Sequence, residues 1–156
     1  MSKYDVVFLQ MKYQISSKEE MDKIAIDFIN GLGSNKQTAT VVGLYGNLGA
    51  GKTTFTQAVA KSLGIDETVV SPTFVIEKIY ELTNQKFSHL IHIDAYRLES
   101  SSELVSIGWN EIISNPENLI LIEWPERVSD VMPEHVKIQI NHLDNENSRE
   151  IVIDLE

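Results

Sequence analysis

The stretch Gly46-Asn47-Leu48-Gly49-Ala50-Gly51-Lys52-Thr53-Thr54 constrains this chain more than any other. The apolar run from Ala39 to Tyr45 before it reads as a buried strand. The segment from Phe55 to Gly64 after it reads as a helix closed by a glycine. A strand, a G-x-x-x-x-G-K-T turn and a helix, in that order, form a phosphate-binding P-loop in its proper setting. Gly46, Gly49 and Gly51 let the backbone curl so that successive N–H groups point at phosphate oxygens, where a Cβ would block the approach. The helix N-terminus adds its partial positive charge. Lys52 is placed to reach the β- and γ-phosphates, and the Thr53 hydroxyl to ligate a Mg2+ ion. A glycine-rich turn that merely joins a strand to a helix is the bland alternative, and the complete match in context weighs against it.

The rest of the chain arranges itself around that unit. Val6 to Ile15 alternates loosely and predicts an edge strand; Ser17-Lys18-Glu19-Glu20 carries a capping box, followed by Met21, Ile24, Ala25, Phe28 and Ile29 at helical spacing. Gly31 and Gly33 end that helix. Beyond Gly64, Pro72 makes Ser71-Pro72-Thr73 a shaped connection rather than a central strand. Phe74 to Tyr80 and Phe87 to Ile93 predict two strands joined by a turn at Leu82 to Gln85. Such a hairpin puts antiparallel strands beside the parallel P-loop strand and makes the sheet mixed. Ser100-Ser101-Ser102-Glu103 starts another helix, which Gly108 divides in two. Asn118 to Ile122 reads as a short buried strand, Pro125 and Pro133 bracket a loop, and Val136–Ile140 with Glu150–Leu155 form a C-terminal hairpin. The expected fold class is therefore α/β: a P-loop NTPase-like three-layer fold, with a central mixed sheet of parallel core and antiparallel flanking strands, spanning residues 1–156 as a single domain.

Composition enters through charge. A net charge of −10 repels phosphodiester backbones, so any nucleic acid would be reached through a partner protein. Of thirteen cationic residues only Arg97, Arg127 and Arg149 are arginines. The chain has no cysteine, hence no disulfide framework or thiolate metal site. It has no apolar run long enough to span a bilayer and no signal-peptide pattern at its N-terminus, so no membrane association and a cytoplasmic location are the default expectations.

A P-loop protein needs a further carboxylate near its metal, usually at the end of an apolar strand. Leu90-Ile91-His92-Ile93 ends in Asp94, and Leu119-Ile120-Leu121-Ile122 ends in Glu123. Carboxyl ends of parallel strands open onto the nucleotide crevice, so both acids are expected to face the phosphates, and spacing leaves open which holds the metal and which orients water. His92 shares a face with Asp94. A hydrogen-bonded core histidine is the better reading of it than direct catalysis. Arg97 is placed to pair with Asp94 or with a partner's carboxylate. Trp124 is a contact anchor if exposed and ordinary core if buried. Asn141-His142-Leu143-Asp144 has the outline of a guanine-reading N-K-x-D but lacks the lysine and runs into a hairpin, so it reads as turn chemistry, which turns the expected nucleotide toward ATP.

Gly46 to Phe55, then Ser71-Pro72-Thr73, then His92-Ile93-Asp94-Ala95-Tyr96-Arg97-Leu98, then Ile122-Glu123-Trp124-Pro125-Glu126 resemble the bacterial TsaE (YjeE) family. The resemblance covers roughly residues 15 to 140. It implies a Mg-dependent ATPase required for threonylcarbamoyl modification of adenosine 37 in tRNAs reading ANN codons. It also implies work with a TsaD–TsaB heterodimer, with tRNA met only indirectly. Carried onto this chain, it makes Thr53 and Glu123 the Mg2+ ligands and Gly49, Ala50, Gly51, Lys52, Thr53 and Thr54 the phosphate contacts. Lys52, Asp94 and Glu123 become the residues needed for activity, and the segment of Thr73 a switch loop. It points loosely to Ser17 and Arg149 near the adenine.

No arginine lies close to the P-loop in sequence, and a well-placed arginine finger is worth about 10³ to 10⁵ in rate. Slow turnover by the isolated protein is the expectation. A P-loop small-molecule kinase is one alternative, although three scattered arginines make a poor cationic lid. A nucleotide-controlled binding module is another.

Overall fold

The computed structural model describes residues 10–34, 37–70 and 76–155. Its first strand, β1 (Met11–Ile15), is followed by α1 (Lys18–Gly31), β2 (Thr40–Tyr45) and α2 (Lys52–Ser62). The hairpin strands β3 (Glu77–Glu81) and β4 (His89–Asp94) come next, then α3 (Ser101–Ser106), α4 (Trp109–Ile113) and β5 (Asn118–Glu123). A 3-10 segment over Pro125–Val131 leads to β6 (Val136–His142) and β7 (Arg149–Leu155). That segment is where the prolines suggested a loop. Pro125 at its start supplies a fixed φ and needs no N–H partner there.

The local signals act as their chemistry requires. Ser17 accepts a hydrogen bond from the Glu20 N–H at 3.2 Å, while the Glu20 carboxylate accepts from the Ser16 N–H at 2.9 Å. The α1 start is thus a capping box displaced by one residue on its return bond. Ser100 and Glu103 form the complete box at α3, and Gly108, at φ +96°, separates α3 from α4. Gly64, at φ +82°, ends α2.

One seven-stranded sheet runs in the order β1-β7-β6-β2-β5-β4-β3. The core β6-β2-β5-β4 is parallel throughout, while β3 and the pair β7-β1 flank it antiparallel. The β3–β4 hairpin therefore lies in the sheet of the P-loop strand but not next to it. β5 intervenes between β4 and β2, and β6 takes the other side. All six residues of β5 are buried, as expected of a strand covered on both faces.

The sheet separates two cores. On one face Met21, Ala25 and Phe28 of α1 and Phe55 and Val59 of α2 pack on Leu44, Leu90, Leu121, Ile138 and Ile153. Phe28 and Phe55 meet edge-on, with centroids 5.8 Å apart, a geometry worth about 0.5–1.5 kcal/mol beyond its buried area. On the other face Leu104, Trp109 and Val128 cover Val41, Ile91, Ile93, Ile120 and Ile122. No described helix is long and apolar enough to cross a membrane.

Candidate functional site

Strand alternation decides which side chains meet. Leu44 of β2, Leu90 of β4 and Leu121 of β5 face α2. Counting by twos, His92, Asp94 and Glu123 emerge on that same face, with Asp94 and Glu123 directly in register. The loop from Gly46 to Gly51 leaves β2 beside them and delivers Lys52 as the first residue of α2.

Three glycines of the loop have positive φ, but not for one shared reason. At Gly46 (φ +147°) a Cβ would stand 2.4 Å from the Ile140 carbonyl oxygen of β6. At Gly49 (φ +78°) nothing lies within 4 Å of that position. The expectation that a Cβ would obstruct phosphate thus misses the constraint at Gly46, where the neighbouring strand itself forbids a side chain. Gly51 caps α2 without any side-chain bond, and no acidic residue occupies the first turn.

Lys52 is only 5 % exposed. Its Nζ donates to the carbonyls of Gly46 at 2.5 Å and Asn47 at 3.0 Å and lies 4.0 Å from the centroid of the Trp124 ring. Burial pushes its pKa below the ordinary lysine value, while the charges of Glu123, Glu126 and Asp94 pull the other way. Thr53 Oγ1 donates to the Glu123 carboxylate, 3.0 Å from Oε1 and 3.2 Å from Oε2. Glu123 is 3 % exposed, and His92 Nε2 lies 2.5 Å from its Oε2. Asp94 Oδ1 accepts from the Tyr96 N–H at 2.9 Å, which turns the chain sharply after β4.

Trp124 is neither exposed anchor nor plain core. It is half-buried, packs against the α3–α4 core and adopts a left-handed backbone (φ +59°), rare for a non-glycine residue. That turn holds its ring against Tyr96, centroids 5.0 Å apart, and over Lys52. Glu126, two residues on, was not singled out in the sequence and adds charge near Lys52.

The remaining candidate residues scatter more widely. Arg149 comes to the loop: its Nε donates to the Ala50 carbonyl at 3.0 Å, and Nη1 to the carbonyls of Glu146 at 2.7 Å and Ser148 at 3.0 Å. An arginine distant in sequence therefore touches the P-loop, bonded there to backbone rather than aimed at a partner's site. Ser17 uses its hydroxyl as the α1 cap. Arg97 is exposed in the turn after β4. Thr73 and the rest of Ser71-Pro72-Thr73 lie outside the described residues, as does the predicted start of β3 at Phe74. Asn141, of the imitation guanine reader, donates to Glu150 across the C-terminal hairpin at 3.4 Å.

A glycine loop between a central parallel strand and a helix, with its lysine and threonine set against strand-end acids, defines a P-loop NTPase-like protein. A crystal structure of Bacillus subtilis YdiB matches over 92 % of this chain and 84 % of its own, with a TM-score of 0.71 at 30 % identity. The chain belongs to the TsaE family: residues 15–151 match the family model described as Threonylcarbamoyl adenosine biosynthesis protein TsaE. Among relatives named tRNA threonylcarbamoyladenosine biosynthesis protein TsaE, that of Treponema pallidum is 39 % identical over 75 % of this chain and 83 % of its own length. The Bacillus subtilis relative is 36 % identical over 84 % and 76 %, and that of Rickettsia conorii 35 % over 85 % and 72 %.

Proposed function

We propose that this protein binds and hydrolyses ATP with Mg2+ in the threonylcarbamoyl modification of adenosine 37 in tRNAs reading ANN codons, in the cytoplasm and with a TsaD–TsaB complex. The observation that carries the reading is the contact of Thr53 with Glu123 beside the P-loop, in a chain of the TsaE family. An uncapped helix start without first-turn acids suits an anion, because its N–H groups and dipole favour negative charge. Among the described residues no group of three or more histidines and carboxylates could hold a metal alone. A hydroxyl and one carboxylate instead suit Mg2+, which takes its remaining ligands from phosphates and water.

Thr53 and Glu123 would hold the ion, which would supply positive charge to neutralise what develops on the phosphates. Lys52 would exchange its two carbonyl acceptors for phosphate oxygens, gaining charge-assisted bonds. Asp94, beside Glu123 in register, is left to orient the attacking water. The guanidinium of Arg149 is engaged by carbonyls, while Arg97 and Arg127 lie in the segments that follow Asp94 and Glu123; a partner that supplies or repositions an arginine would speed an otherwise slow turnover.

Replacing Lys52 by Ala removes bonds worth roughly 1.5–3 kcal/mol each, which corresponds to about a tenfold or greater loss of nucleotide affinity. The decisive experiment is reconstituted tRNA modification with TsaD, TsaB and a source of threonylcarbamoyl-adenylate. Multiple turnovers are expected to require this chain and to fail with Lys52→Ala. Equal turnover without the chain would overturn the reading.

A further inference from the structure

His92 is fully buried on β4, one pleat behind Asp94, and faces the carboxylate of Glu123 on the adjacent parallel strand. Its Nε2–H donates to Glu123 Oε2 at 2.5 Å, while Thr53 approaches the same carboxylate from α2. The other ring nitrogen, Nδ1, is buried and has no hydrogen-bond partner among the described residues. Among the described residues the one polar contact of the ring goes to the site carboxylate.

We propose that His92 is the positioning residue for Glu123. A glutamate at a strand end has several rotatable bonds and would sample many orientations. The imidazole holds Oε2 from the strand side, while the Thr53 hydroxyl meets both oxygens from α2. The pair Thr53–Glu123 is thereby kept in one arrangement before any ion arrives, so little ordering remains to be done on binding. This is the outer-shell role in which a group that never touches the metal fixes one that does. The inference rests on the reading of Thr53 and Glu123 as Mg2+ ligands.

The test is a Mg2+ titration of the binding of a fluorescent, non-hydrolysable ATP analogue to the whole protein. His92→Gln keeps an amide donor near the position of Nε2, whereas His92→Asn is one methylene too short to reach Glu123. For His92→Asn the half-saturating Mg2+ concentration should rise about 10- to 100-fold, with His92→Gln close to the parent. Binding of the analogue without Mg2+ should be the same in all three proteins. A variant that merely loosens the core would weaken binding with and without Mg2+ alike, and that result would overturn the assignment. So would an unchanged Mg2+ requirement in His92→Asn. If the parent protein itself shows no Mg2+-dependent binding, it is the proposed function that fails. His92→Phe, which fills the space without a donor, should behave as His92→Asn if the latter does not fold.

Discussion

Two glycines of the same loop should respond very differently to the same change. In Gly46→Ala the new methyl would sit 2.4 Å from the Ile140 carbonyl oxygen, closer than real Cβ contacts come, and the obstacle is backbone. Either the loop or β6 must move by roughly half an ångström or more, and such overpacking costs about 1–3 kcal/mol. A left-handed backbone adds about 1–3 kcal/mol for a residue with a Cβ. A less flexible unfolded chain returns about 0.4–1 kcal/mol. The net loss is thus roughly 1–5.6 kcal/mol, or about 2–22 °C in melting temperature for a domain of this size. Gly49→Ala carries the backbone strain alone, since nothing lies within 4 Å of its Cβ position. Its net cost should stay near 1 kcal/mol. Urea denaturation of both variants without nucleotide measures the difference directly. If Gly46→Ala proves as stable as Gly49→Ala, the contact between loop and β6 is not what demands a glycine there.

Arg149→Lys keeps the charge but cannot fork its bonds among the carbonyls of Ala50, Glu146 and Ser148. A loss of about 1–3 kcal/mol in thermal stability, with weaker nucleotide binding, is expected, and unchanged values for both would exclude a strut between hairpin and loop. Glu77 has a carboxylate oxygen that is buried without a partner among the described residues, and burial raises its pKa. Because the folded value is the higher one, stability is full below the ordinary glutamate range and falls as pH rises from there through the folded value. Glu77→Gln should therefore raise the melting temperature at neutral pH and leave it unchanged in acid below that range. A gain that is the same at both pH values would count against a titration effect.

What could be read in the sequence was whatever a short stretch of chain settles by itself. The P-loop, the Ser17 cap, the break at Gly108 and the C-terminal hairpin all depend on residues within a few positions of one another. The two strand-end acids were also legible, since an apolar run with an acid at its end says where that acid emerges in a parallel sheet. The order of strands was not. Nothing in the pattern of β3 and β4 reveals that β5 inserts between them and β2. The same gap hid the reason for Gly46, whose neighbour Ile140 lies far along the chain, and the partner of His92, whose core character was plain but whose bond to Glu123 depends on register. Arg149 lies far from the P-loop in sequence, and the C-terminal hairpin cancels that distance.

The backing of the loop by β6 also has a consequence for the order in which this protein comes into being. Val42 pairs with Val136, and Arg149 reaches Ala50 across 99 positions. A chain emerging from its N-terminus presents the whole nucleotide-binding motif long before the strand that shapes Gly46 or the arginine that ties down Ala50. Contacts so distant close late, after their loop entropy has been overcome. The phosphate cradle is thus expected to take its shape only once β6 and β7 are in place, so a chain cut before Val136 should bind nucleotide far more weakly than the whole protein in an equilibrium binding assay.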